Sequence, residues 1–410
     1  MAIVLVARRV IFPLDKQLAL LPGSLTPLLQ DHLAHLSAWM PFGKAAALLG
    51  CFTQTRVSES SAQRHTEAVG LAYEAVQLAE VERIERDWPE VPTGSDKLLL
   101  SADGAMVPLI GGEWAEVKTL VVGEVAEASQ AEASSEVKTC NLSYFSRLTD
   151  AENFGRLTLG ELYRRRLESA KQVAAVSDGA EWIQGFLDFH CPCARRILDF
   201  PHAAQRICQI GEAVLGAEHA SLPAWQRHLL HQLKHQGAQR VLDSLRTFAA
   251  AQLSEPLIAE NLAYLNKRVA QMQYPVFQTE GWPIGSGMVE SANKLVVEAR
   301  LKGAGMHWTR ASVNPMLALR NAVCNDRWEE AWRESSAQIE RVGKVRRAVQ
   351  PKRVAGLESG LAPAASLPVA VVEAQAAPPS PSKGAATHPW RRTNYATKAR
   401  MAQAGVQARK

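Results

Sequence analysis

The sequence predicts an α/β fold: a mixed-sheet core interrupted by an all-helical insertion, with a helical region in front and a disordered basic tail behind. Three observations predict it. Apolar and alternating runs between Lys97 and Phe200 fall in the order βββαβαβ. The stretch from His202 to about Tyr274 then reads as nearly all helix. Beyond Glu373 no acidic residue occurs, while Lys383, Arg391, Arg392, Lys398, Arg400, Arg409 and Lys410 follow.

Taken in order, Leu21 to about Arg86 reads as helical. Leu28, Leu29, Leu33 and Leu36 recur at helical spacing, and Ser24 or Thr26 is placed to cap them. Phe42 to Leu49 is a second short helix that the Gly50-Cys51-Phe52-Thr53 run breaks, and Val57-Ser58 opens a third carrying Ser61, Gln63, Arg64 and Thr66. Helix, turn and polar helix fit either a helix-turn-helix or a plain bundle. Trp88 to Gly94 is a Pro/Gly-rich linker. Lys97 to Asp103 is an apolar run ending at an acid. Trp114 to Val122 and Glu136 to Phe145 complete a meander, with a loop at Ala128 to Ser135. Asp150 to Ala170 is helical, Lys171 to Asp178 is a fourth strand ending at an acid, Gly179 to Phe189 is a helix, and Ala194 to Phe200 is a fifth strand. This is the order of an RNase H-like core, and it puts two carboxylates at adjacent strand ends in one crevice. Helical character returns from Glu290 to Trp332, broken at Gly303-Ala304-Gly305. The composition then shifts, and Pro378 to Ser382 with its Ala-rich surroundings reads as disordered.

The expected organisation is a helical, helix-turn-helix-like DNA-binding region over 1–90, the first part of the core over 95–202, a helical insertion over 203–280, the final core helices with the third acid over 281–347, and a disordered basic tail over 348–410. At 410 residues, 47% hydrophobic and 21% charged, the chain can bury a large core. No apolar run reaches the roughly 20 residues that span a bilayer, and Met1 to Val6 is too short for a signal-peptide core. The expectation is a cytoplasmic protein without a membrane partner. Cys191 and Cys193 are spaced C-x-C and the other four cysteines are isolated, which is neither a zinc pattern nor a disulfide framework. Net charge is only +5. Its concentration in the tail favours a polyanion such as DNA, a solvated tail being the alternative.

The segment Pro283-Ile-Gly-Ser-Gly-Met-Val-Glu290-Ser-Ala-Asn293-Lys294 runs a Gly-rich turn into a helix that carries a carboxylate. Asp103-Gly104 and Asp178-Gly179 could each be a strand-ending turn, and Glu290 a solvated first-turn acid. Together the three acids form an Asp, Asp, Glu set on strand, strand and helix. Phosphodiester chemistry with two Mg²⁺ (or Mn²⁺) ions roughly 3.5–4 Å apart needs such hard oxygen ligands. Lys294, Arg300, Lys302 and Arg310, with His307 and Trp308, could grip phosphates and stack on a base. For Trp308 a core role competes. His228, His231 and His235 share one helix without accompanying metal ligands, as on a surface helix.

These pieces resemble bacterial insertion-sequence transposases with a Mutator-like DDE core, in particular the ISKra type. The matching segments are Phe12-Pro-Leu-Asp15, Ser101 to Val107, Val176 to Trp182, Ile197-Leu-Asp199-Phe-Pro-His202-Ala, Pro283 to Lys294, Arg300 to Trp308 and His388-Pro-Trp-Arg-Arg392. The resemblance implies a Mg²⁺-dependent transposase with an interrupted RNase H-like domain. Asp103, Asp178 and Glu290 would be the catalytic metal ligands, and double-stranded DNA at inverted repeats and in the target would be the partner of a homo-oligomer. Asp199 also ends a strand and competes for the second place. Asp178 holds the slot after the fourth strand, so it is taken as the ligand. Asp199 and His202 fall where such enzymes carry a Cys-x-x-His pair. With Asn293, Lys294, Arg300, Lys302, His307 and Trp308 they are expected beside the metals or against DNA. An inactive DNA-binding relic or repressor of transposition, and a structure-specific nuclease, are the alternatives.

Overall fold

The computed structural model describes residues 4–6, 9–11, 25–126 and 137–349. The loop expected at Ala128 to Ser135 lies outside them. Phe12 to Asp15, His388 to Arg392 and the tail beyond residue 349 lie outside them, and the expected start of the tail at 348 falls within a helix that runs to Val349.

The chain opens with a small antiparallel pair, β1 (Val4–Val6) and β2 (Arg9–Ile11). Three helices follow, Pro27–Trp39, Phe42–Thr53 and Glu59–Asp87. Thr26 caps the first and Ser58 the third, each accepting a backbone N–H from the residue three further on. The second helix does not break at Gly50 as expected. It runs on to Thr53 and ends where Gln54 turns left-handed at φ 55°.

The central sheet has five strands in the order β5-β4-β3-β6-β7. β3 (Lys97–Pro108), β4 (Trp114–Val125) and β5 (Thr139–Arg147) form an antiparallel meander. β6 (Gln172–Ser177) and β7 (Arg195–Leu198) add on parallel to β3. Helices Ala151–Leu157 and Leu159–Arg164 precede β6, and Glu181–His190 joins β6 to β7, so the observed order matches the βββαβαβ expectation. β3 does not end at Asp103. It continues to Pro108 because β4 keeps supplying partners, with Asp103 opposite Thr119 and Gly104 opposite Lys118.

Side-chain alternation splits the sheet into two faces. Leu98, Leu100, Ala102, Leu120 and Val122 pack with Phe154, Ile183 and Phe186 on one of them. Leu99, Val176 and Leu198 on the other face pack with the helices that follow β7, namely Phe200–Leu215, Leu222–Gln236, Ala238–Phe248, Pro256–Lys267 and Tyr274–Thr279. Further along that same face Ala105, Val107 and Val117 meet Val296, Val297, Leu301 and Val313, which belong to the chain after residue 287. Asp103 sits between Ser101 and Ala105 on this second face, where the two groups of helices adjoin.

The final helices are Gly287–Ala292, a π-helical stretch Asn293–Glu298, Ala299–Leu301, Arg310–Cys324 and Trp328–Val349. The N-terminal helices pack directly on them. Ala34, Ala38, Val69 and Tyr73 share a core with Leu319, Ala322, Trp328 and Ala331. At Gly70 the backbones approach so closely that a Cβ would lie 2.3 Å from the Pro315 carbonyl oxygen. Thr66, one of the polar residues noted on the third helix, is fully buried and donates to the Ala62 carbonyl at 2.7 Å.

Candidate acidic active site

Ser101 and Val176 are the last parallel partners of β3 and β6. Asp103 and Asp178 each lie two residues beyond that pair, so the sheet itself sets them side by side. Asp103 is held in mid-strand, and Asp178 begins the turn into Glu181–His190. Glu290 reaches the same place from the helix Gly287–Ala292 laid across β3 and β4, where Val289 and Ala292 pack on Val121.

The electrostatics report this convergence. Burial pushes the Asp103 carboxyl above its ordinary range. The Gly104 backbone N–H opposes that shift, Asp178 adds to it by repulsion, His202 opposes it and Glu290 adds to it. Asn293, one helical turn beyond Glu290, donates Nδ2 to Asp103 Oδ2 at 3.0 Å. Its own Oδ1 is buried without a hydrogen-bond partner, an acceptor that faces no protein donor. Asp178 Oδ1 accepts from the Ala180 N–H at 2.8 Å.

Asp199 is used differently. It is fully buried, and its carboxylate joins three groups. Oδ2 accepts from the His202 backbone N–H at 3.3 Å and from His202 Nδ1 at 2.6 Å, while Oδ1 accepts from the Ser286 N–H at 2.6 Å. It therefore caps Phe200–Leu215 and ties that helix to the Gly-rich turn. Phe200 adds a backbone bond to Ile284 at 2.9 Å. With both oxygens committed, Asp199 supports the site and Asp178 is the freer carboxylate. Its hydrogen bond to Asp199 raises the His202 pKa, burial opposes this, and the charges of Asp199, Asp178 and Asp103 raise it further. Within the turn, a Cβ at Gly285 or at Gly287 would meet no atom within 4 Å, so nothing in the surrounding protein crowds the backbone there.

Several expected contacts are corrected. Arg300 is buried, donates Nε to the Ser37 carbonyl at 2.8 Å and lies between the rings of Phe42 and Trp308 at 4.7 and 5.0 Å. Trp308 is itself core, its indole N–H on the Leu301 carbonyl at 3.0 Å. The pair fastens Pro27–Trp39 to the C-terminal helices, and both side chains are buried rather than turned outward. Lys302 is exposed but pairs with Glu298 at 2.7 Å. Lys294 and His307 are exposed, as are His228, His231 and His235 on Leu222–Gln236.

Two residues that the sequence did not single out bear on the site. Tyr264 and Arg268, one turn apart at the end of Pro256–Lys267, hold the Asp178-Gly179 turn. The Tyr264 hydroxyl donates to the Asp178 carbonyl, and Arg268 Nη2 donates to the Gly179 carbonyl at 2.6 Å. Their spacing in an otherwise ordinary helix gave no hint of a partner more than eighty positions away.

Among the described residues, no three His, Cys, Asp or Glu side chains already form a shell that could hold a metal ion. The donor set nonetheless suits a hard divalent cation. Asp103, Asp178 and Glu290 are all carboxylates, with Asp178 and Glu290 both repelling Asp103, the orphaned Asn293 oxygen is a further hard donor, and Mg²⁺ uses few protein ligands while keeping its waters. No described helix is long and apolar enough to cross a membrane.

No family model and no curated protein matches the chain. Among solved structures it is similar to the Drosophila P element transposase strand transfer complex, at 11% identity over 80% of this chain and 86% of that one, with a TM-score of 0.26. So low a score carries neither fold nor function, and both rest on the residues themselves.

Proposed function

We propose that the chain is a DDE-type transposase with an RNase H-like core interrupted by a helical insertion. It would cut DNA at the ends of an insertion sequence and join the freed 3′ hydroxyl to target DNA. The observation that carries this reading is the β3–β6 register, which sets Asp103 and Asp178 each two residues beyond the Ser101–Val176 pair, with Glu290 on a helix packed across the same sheet.

Asp103, Asp178 and Glu290 would hold two Mg²⁺ ions, which supply stabilisation of negative charge on the attacking and leaving oxygens of a phosphodiester. The protein's own part is positioning. The β3–β4 ladder keeps Asp103 rigid, and Asn293 Nδ2 fixes the rotation of its carboxylate. His202 is anchored through Nδ1 on Asp199, which leaves Nε2 to exchange a proton at the site. The bare backbone at Gly285 and Gly287 leaves room for a phosphodiester. Double-stranded DNA at inverted repeats, a target duplex and a second copy of the chain are the partners this reading proposes, in the cytoplasm of a bacterium.

The test uses linear DNA bearing the repeats that flank the coding region. With Mg²⁺, the native chain should nick the repeat ends, while Asp103→Asn, Asp178→Asn and Glu290→Gln should each lose cleavage and keep gel-shift binding. Binding without cleavage by the native chain would identify a non-catalytic DNA-binding protein, and cleavage independent of the repeats a structure-specific nuclease. Full cleavage by the Asp178 variant with none by Asp199→Asn would overturn the choice of second acid.

A further inference from the structure

We infer that Tyr264 and Arg268 are positioning residues that set where Asp178 sits, so that the helical segment between β7 and Glu290 governs how tightly the acidic site binds a divalent ion. The inference rests on the proposed role of Asp178 as an ion ligand.

β6 ends at Ser177, so sheet hydrogen bonding no longer fixes the backbone at Asp178 and Gly179. The inserted helices take over at just these residues. Both consecutive carbonyls are claimed from the same helix end: that of Asp178 by the Tyr264 hydroxyl, and that of Gly179 by Arg268 through Nη2 at 2.6 Å and Nε at 3.2 Å. Arg268 also donates Nη1 to the Tyr264 carbonyl at 3.1 Å, and its guanidinium lies 3.9 Å from the Tyr264 ring centre. Arg206, one turn beyond His202 on Phe200–Leu215, lies 4.6 Å from the same ring and donates to Asn261 Oδ1 at 3.0 Å. The phenol is thus locked from two helices.

The turn is fitted to this clamp. Gly179 has φ +80°, where side chains other than glycine are strained, and a Cβ there would lie 2.4 Å from Arg268 Nε. Arg268 is only 6% exposed, yet its donors go mainly to carbonyls, with Glu181 farther off at 3.4 Å. A buried guanidinium is costly unless its donors are satisfied. Here satisfying them pins the residue that carries the second acid. With Asp178 Oδ1 bound to the Ala180 N–H, Oδ2 has no protein hydrogen bond among the described residues. A shift of the inserted helices therefore moves Asp178 relative to Asp103, which stays fixed in the sheet.

The test measures Mn²⁺ binding to the full chain without DNA, by electron paramagnetic resonance, alongside thermal melting without metal. Tyr264→Phe, which removes only the hydroxyl, and Arg268→Lys should weaken Mn²⁺ binding roughly ten- to a hundredfold, the usual effect of removing groups that orient metal ligands. Arg227→Gln, exposed on the same segment, should bind as the native chain does. Asp178→Asn separates the two levels of the argument. If it binds Mn²⁺ like the native chain, the underlying role of Asp178 fails. If it loses binding while Tyr264→Phe and Arg268→Lys both retain native affinity, the inference is overturned, even when both lower the melting temperature. Should Arg268→Lys fail to fold, Tyr264→Phe alone decides.

Discussion

Arg300 gives the sharpest quantitative test, because sequence and structure assign it opposite roles. A basic residue beyond Glu290 looks like a phosphate contact. In the fold it is a buried cation that caps another helix. Its Nε takes the Ser37 carbonyl, and Arg320 Nη1 takes the Ala38 carbonyl at 3.0 Å. These are among the last carbonyls of Pro27–Trp39, which have no partner within their own helix and sit at its negative end. Burial pulls the Arg300 pKa down to about 10, the neighbouring Arg320 adding to the effect, so the side chain still carries its charge at neutral pH. Arg300→Ala removes a charge-assisted hydrogen bond of about 1.5–3 kcal/mol and two cation–π contacts of about 0.5–1 kcal/mol each, for a loss of about 2.5–5 kcal/mol. Arg300→Met keeps the volume and relieves both the repulsion from Arg320 and the unpaired Nη2. It should cost no more than about half as much. Urea unfolding of both variants measures these losses, and DNA affinity across a salt series measures the alternative. A phosphate contact removed would lower the slope of log affinity against log salt by about one, whereas a core residue leaves it unchanged in the folded Met variant. A native urea midpoint together with a slope reduced by one would refute the structural assignment.

Two further predictions follow from the same geometry. His202 should titrate above about 6.5, the ordinary histidine value, and Asp199→Asn should bring it down, as read by the imidazole proton resonances. The sign for stability is that of a raised histidine: cationic His202 stabilises fully below its unfolded-state pKa, and this is lost as pH rises through the folded value. A melting temperature that instead climbs with pH across this window in the native chain, but not in His202→Gln, would contradict it. Gly70→Ala would drive a Cβ into the Pro315 backbone. It should destabilise by about 1–3 kcal/mol or more, and an unchanged denaturation midpoint would mean the two helices do not approach as described.

The strand order was legible because apolar runs of strand length alternate with helical periods, and each strand met its partner in the expected place. The place of Asp178 at the end of β6 was legible for the same reason. The setting of Asp103 was misread. Asp-Gly signals a turn, but here Gly104 lies within the ladder beneath the Glu116 side chain, whose Oε1 would sit 2.4 Å from an added Cβ. That pressure comes from the neighbouring strand and has no local trace. Arg300 misled in the same way, since a Lys/Arg/Trp cluster has the composition of a nucleic-acid surface and only tertiary packing turns Arg300 inward, while for Trp308 the competing core role is the one observed. The N-terminal helices were found, but not that their apolar faces are completed by Arg310–Cys324 and Trp328–Val349. Tyr264 and Arg268 stayed hidden because their bonds go to the backbone of a distant turn, and a carbonyl leaves no signature in residue type.

The π-helical stretch Asn293–Glu298 joins the residue that steadies Asp103 to the short helix that carries Arg300. A π turn carries one residue more than an α-helical path between the same flanks. This helix therefore holds slack. Deleting exposed Leu295 lets the backbone relax to α geometry with Asn293 and Arg300 still on their present faces. The same deletion inside Arg310–Cys324 would swing everything beyond it by about 100°. Circular-dichroism melts should show the first deletion folded and the second not. The wall of the acidic site and the anchor of the N-terminal helices can then tolerate a change in chain length between them without either losing its register.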